Sequence, residues 1–165
     1  MQNFSYTFAD DTSLNLKIGQ HVSDIRYGSW NKNNDASAKI NIDFSTADNL
    51  KNIQYSGLTF GNIYDKVYIN MPVLPSNLEQ CIYSEFCGNS TENCIELSND
   101  LVFPNTIKEI GYNSFKSIDF NNHTLTIPPT SEVSIYSAFC GIKNLKKLNI
   151  CNVPNHKVKQ IYYSF

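Results

Sequence analysis

Cysteine and histidine carry the most reactive side chains of this 165-residue chain, and their spacing decides what chemistry is open to them. The five cysteines are Cys81, Cys87, Cys94, Cys140 and Cys151, with no CxxC pair, and an odd total leaves no closed disulfide framework. Cys87 and Cys140 each follow a phenylalanine and precede a glycine. Both are expected to be small buried residues at an equivalent position, rather than metal ligands or disulfide partners. A cysteine nucleophile needs an imidazole beside it, and His21, His123 and His156 stand in or near connections that bring none to a thiol. They are read as surface-loop residues. The sequence contains no HExxH, GxSxG, P-loop, GxGxxG or DxDxDG. The carboxylates, Asp10 and Asp11 included, are scattered as solvated charges rather than set as a general acid and base. No catalytic residue, metal ligand or cofactor is assigned, and the chain is expected not to be an enzyme. Asn3, Asn89 and Asn122 each begin an N-x-S/T sequon, which acts only in a eukaryotic secretory pathway.

With reactive chemistry set aside, the informative feature is recurrence. Aligned on one large residue, the chain gives anchors at Phe8, Trp30, Leu58, Phe86, Phe115, Phe139 and Phe165, with steps of 22, 28, 28, 29, 24 and 26 residues. Steps of this size match the roughly 20–29 residues of leucine-rich repeats. After each anchor comes a pair of apolar residues two apart: Leu16 and Ile18, Ile40 and Ile42, Val67 and Ile69, Ile95 and Leu97, Leu125 and Ile127, Leu148 and Ile150. The residues between them are mostly polar. Alternation of this kind, rich in β-branched residues, predicts a short strand with one buried face in every unit.

Before each anchor the apolar residues follow a different spacing, as in Val22, Ile25, Tyr27 and Trp30, which predicts a short helical or 3₁₀ turn. Leu50, Ile53, Tyr55 and Leu58 repeat it, as do Leu78, Cys81, Tyr83 and Phe86, and Ile107, Ile110, Tyr112 and Phe115. The sixth unit slides by a residue, using Val133, Ile135, Tyr136 and Phe139. Pro72, Pro75, Pro104, Pro128, Pro129 and Pro154 all fall in the connections, where a parallel sheet tolerates a residue that cannot donate to its ladder.

The expected fold is a leucine-rich-repeat-like solenoid, with short parallel strands on one face and turns or short 3₁₀ or α segments on the other. Residues 1–165 are read as one array of about six units. Apolar residues reach both ends of the chain without a polar cap, so a longer parent chain, or ends covered by a partner, is expected. The formal net charge of -2 offers no basic field for phosphates, which argues against nucleic acid. No apolar run approaches the roughly 18 residues of a membrane helix.

SIYSAFCGIKNLKKLNI (134–150) and CIYSEFCG (81–88) resemble the BspA-type leucine-rich repeats of bacterial surface proteins, and QNFSYTFADDTSLNLKI (2–18) resembles the related repeats of mycoplasma and lactobacillus surface proteins. The resemblance implies surface display or secretion and adhesion to host matrix or other cells. Similar repeats also occur in phage particles and protozoan surface proteins. The function expected is therefore recognition of a host or cell-surface protein or glycan by an extracellular module. The alternative is a structural component of a cell surface or phage particle, stacked against neighbouring subunits. For the first, the binding face is the outward row of the strands: Lys66, Tyr68, Glu96, Thr126, Lys147 and Asn149, with Asn15, Lys17, Lys39 and Asn41 beside them.

Overall fold

The computed structural model describes residues 5–8, 13–26, 29–32, 38–54, 59–61, 67–70, 74–82, 95–111, 113–128, 132–150 and 157–162. Three regular passes open the chain. The first is β1 (Ser5–Phe8), β2 (Ser13–Lys17) and β3 (Asp24–Arg26), and the second is β4 (Ser29–Lys32), β5 (Ala38–Asp43) and β6 (Asn52–Gln54). The third is β7 (Thr59–Gly61), β8 (Val67–Asn70) and β9 (Gln80–Ile82). The chain continues through β10 (Ile95–Leu97), β11 (Leu101–Val102), β12 (Glu109–Gly111), β13 (Thr124–Ile127), β14 (Glu132–Tyr136), β15 (Lys147–Ile150) and β16 (Lys157–Tyr162).

Every pairing among these strands is parallel, and each joins a strand to its counterpart one pass away. Four sheets result, in the orders β1-β4-β7 (sheet 1), β2-β5-β8-β10 (sheet 2), β11-β13-β15 (sheet 3) and β3-β6-β9-β12-β14-β16 (sheet 4). This is a β-solenoid. Among the described residues there is no helix, and so none long and apolar enough to cross a membrane.

The interior is built from like residues in register. In sheet 4, Ile25, Ile53, Cys81, Ile110 and Ile135 align in one row, each no more than 5 % exposed. Among the described residues, Ile40, Ile42 and Leu97 are buried on the inner face of sheet 2, and Leu101, Leu125 and Ile127 on that of sheet 3. Four phenylalanines, Phe103, Phe115, Phe120 and Phe139, fill the space between the sheets and are fully buried. A single pass cannot enclose such side chains, so burial depends on stacking.

One corner is made the same way in four passes. The amide of Val22 bonds the carbonyl of Gly19, Leu50 that of Ala47, Leu78 that of Pro75, and Ile107 that of Pro104, at 3.0–3.2 Å. The residue before the closing position then locks the corner to the pass below. Asn49 Nδ2 donates to the Gln20 carbonyl at 2.7 Å, Asn77 Nδ2 to the Asp48 carbonyl at 2.6 Å, and Thr106 Oγ1 to the Ser76 carbonyl at 2.8 Å. Proline heads two of these turns, which accounts for Pro75 and Pro104.

The structure departs from the sequence-based expectation in four respects. Where the spacing of Val22 and Ile25 predicts a helical turn, the chain has a corner followed by strand β3, and the same holds at Leu50–Ile53, Leu78–Cys81 and Ile107–Ile110. A buried corner residue three positions before the one inward residue of a three-residue strand imitates the i, i+3 spacing of a helix. The expected single sheet is two. Val67 and Ile95 lie in sheet 2 with Leu16 and Ile40, but Leu125 and Leu148 lie in sheet 3, because the bend at Ser98 and Asn99 adds a corner.

The register also differs. Ile40 pairs with Leu14 and Ile69, and Ile42 with Leu16, so Leu16, Ile40 and Val67 do not form a row. In sheet 1, Trp30 aligns with Tyr6 and Phe60, not with Phe8. A two-residue slip preserves which face a side chain occupies, so alternation cannot detect it. Finally, Cys140 is exposed, not buried. It sits in a turn with Ser137 at φ 49° and Gly141 at φ 70°, and the left-handed step swings the residue after Phe139 outward. The anchors Leu58, Phe86 and Phe165, and Cys87, Cys94 and Cys151, lie outside the described residues.

Candidate functional site

The outer face of sheet 2 carries two polar rows fixed by strand register. In one, Lys39 aligns with Tyr68 and Tyr68 with Glu96, and single parallel bridges extend the row to Asp119 and Lys143. In the other, Asn15, Asn41 and Asn70 stand in register on β2, β5 and β8. Asn41 Nδ2 donates to Asn15 Oδ1 at 2.7 Å, and Asn70 Nδ2 donates to Asn41 Oδ1 at 3.3 Å. Identical amides one strand apart complete each other's hydrogen bonds, which a charged residue repeated at the same position would oppose.

A groove of about 640 Å³ runs over this face. Lys39, Asn41 and Asn70 line it from β5 and β8, and Glu96 and Ser98 from β10 and the bend after it. Asn121 and His123 close its far side. All seven side chains are polar, with Lys39 and Glu96 giving one charge of each sign.

The surrounding carboxylates are engaged in holding turns. Asp119 accepts the Asn121 amide at 2.8 Å and both oxygens take Asn144 Nδ2, at 3.0 and 2.9 Å. Asp100 accepts the Thr124 amide at 2.8 Å and lies 3.4 Å from His123 Nδ1. The Thr124 amide, with lesser help from His123 and Lys146, holds the Asp100 carboxyl below its ordinary range despite some desolvation. Asp100 thereby ties the His123 loop to the preceding pass.

The six residues expected to form the binding face are divided by the fold. Tyr68 and Glu96 share the first row of sheet 2. Thr126, Lys147 and Asn149 belong to sheet 3, where Asn149 Nδ2 donates to Thr126 Oγ1 at 3.3 Å and Lys147 is exposed beside Thr124. Lys66 lies outside the described residues. Sequence reasoning missed Asn70, Ser98, Asn121 and His123 as lining residues. Asn70 repeats Asn15 and Asn41, and the two-residue slip hid it by matching Asn41 with Tyr68. His123 and Asn121 reach the groove from a later pass, which no local spacing indicates.

Among the described residues no group of three or more His, Cys, Asp or Glu is placed to hold a metal ion. The arrangement supplies donors and acceptors for hydrogen bonding and a balanced pair of charges. Comparison of the chain with family models, with curated proteins and with solved structures gave no match in any of the three.

Proposed function

We propose that the chain is a non-enzymatic recognition module, displayed outside the cell, that binds a protein or glycan through the outward faces of sheets 2 and 3. The observation that carries this reading is the groove over sheet 2, lined among the described residues by seven polar side chains, of which Lys39, Asn41 and Asn70 are held in place by strand register. A solenoid presents such a face at no cost in ordering when a ligand arrives, because the strands are already fixed by their neighbours. The leucine-rich-repeat identity, of the BspA type, rests on the resemblance of residues 134–150 and 81–88. Parallel stacking with a repeated corner is in keeping with it.

The test is binding of the purified protein to a panel of glycans, extracellular-matrix proteins and intact bacterial cells. A Lys39→Ala/Glu96→Ala variant, a Lys147→Ala variant and a Tyr68→Ala variant are measured alongside. Saturable binding weakened by at least one of these sets, with an unchanged thermal melt, supports the reading. A folded protein that binds nothing on the panel overturns it.

A further inference from the structure

We infer that the groove over sheet 2 takes an uncharged, hydroxyl-rich ligand, a segment of neutral glycan, with the end of the asparagine ladder as its principal contact. The inference rests on the recognition reading above and narrows its ligand.

The ladder has a direction. Each amide donates toward the first pass, Asn70 to Asn41 and Asn41 to Asn15. The acceptor end therefore emerges at Asn70, and among the described residues no group donates to Asn70 Oδ1. The next position along the row, one step beyond the register pair Leu97–Ile69, is Ser98, and its shorter side chain ends the amide series. Asn70 Oδ1 and Ser98 Oγ thus face the groove as an acceptor and a two-way hydroxyl. Polarisation along a chain of amides strengthens the terminal acceptor.

Three features of the lining select the ligand. Sites for apolar molecules are walled mainly by hydrophobic and aromatic side chains, whereas among the described residues only polar ones line this groove. A polyanion or polycation would need charge of one sign, whereas Lys39 and Glu96 oppose each other. A peptide added as a strand would need free backbone groups. Both β5 and β8 already have a neighbour on each side, and at β10, the edge strand, the Leu97 amide already donates to the Asp119 carbonyl at 2.9 Å. Sugar hydroxyls both donate and accept, and amides, a hydroxyl and an imidazole match that capacity group for group.

The experiment uses the intact chain against an immobilised array of neutral hexose and N-acetylhexosamine oligomers, with sulfated and sialylated oligomers and matrix proteins on the same array. Asn70→Ala and Ser98→Ala are compared with Lys116→Ala, an exposed residue next to Phe115 that belongs to neither sheet face, and each variant is melted to confirm its fold. Expected is binding to one or more neutral oligomers, weakened about tenfold by Asn70→Ala and less by Ser98→Ala, with Lys116→Ala at the parent level. Ser98 is exposed and tests the groove even if the ladder variant loses stability. Preference for charged oligomers, or neutral binding untouched by both groove variants, overturns the inference. Binding to a matrix protein alone overturns it while leaving the recognition module standing, and no binding at all overturns both.

Discussion

Phe115 and Phe139 stack with ring centroids 5.4 Å apart and planes 18° from parallel, each the anchor of its own pass. Phe103 meets both edge-on, at 5.5 and 6.4 Å, so three rings from three passes form one unit. Offset stacking and edge-to-face contact are the arrangements that the ring quadrupole favours. Truncating a fully buried ring leaves a cavity that neighbouring passes cannot close, and Phe115→Ala is expected to cost about 3–5 kcal/mol in urea unfolding. The double variant with Phe139→Ala should cost less than the sum of the singles by about 0.5–1.5 kcal/mol, since each removes the other's partner. Strict additivity would show that the rings do not act together.

The corner lock is the second structural element open to direct measurement. Asn77 is exposed, yet its amide reaches the Asp48 carbonyl at 2.6 Å, in the position that Asn49 and Thr106 hold in neighbouring passes. Asn77→Ala should lower stability by about 0.5–1.5 kcal/mol, and Asn77→Asp by at least as much, because aspartate offers no donor to a carbonyl. An aspartate variant as stable as the parent would mean that the lock contributes nothing.

Acid should weaken the fold, and the outward ion ladder provides a residue-level test. Glu79 stands between Lys108, to which it is hydrogen-bonded, and Lys51, 3.8 Å away. The Lys108 hydrogen bond holds its carboxyl below the ordinary glutamate value, with smaller help from the two lysine charges against some desolvation. A lowered folded pKa means that the native state binds fewer protons. The contribution is therefore complete above the unfolded value, about 4.3, and is lost as pH falls through the folded one. Asp24, Asp43 and Asp100 are shifted the same way. The melting temperature should fall on acidification below about pH 4, and less steeply for Glu79→Gln than for the parent. Equal slopes would show that the ladder is fully screened, as exposed pairs often are.

What could be read from the sequence followed from physics that is local in the chain. Ile40, Ile42, Leu125 and Ile127 are buried as their alternation requires, and the parallel stacking follows from a recurrence too long for hairpins. The fourth sheet was not legible. A three-residue strand such as Ile25 with its two neighbours is too short to display a period of two, and the corner before it supplies a helix-like spacing. Register was not legible for a different reason: Leu14 and Leu16 are both apolar, and either satisfies the inner face opposite Ile40. The groove shares that limit, since Asn70 is found only once the register is known, and His123 only once the later pass is stacked beside β10.

The two thiols of the described residues should differ sharply in reactivity. Cys81 occupies the inner row of sheet 4 between Ile53 and Ile110 and is 1 % exposed, whereas Cys140 lies in the exposed turn after Phe139. Alkylation requires a thiolate that the reagent can reach, so in the native protein Cys140 should be modified and Cys81 spared. Peptide mapping by mass spectrometry after a short iodoacetamide pulse resolves the two sites. Adding urea should expose Cys81 together with global unfolding, because the row it belongs to runs through all six strands of sheet 4. Early labelling of Cys81 under native conditions would mean that sheet 4 opens locally, ahead of global unfolding.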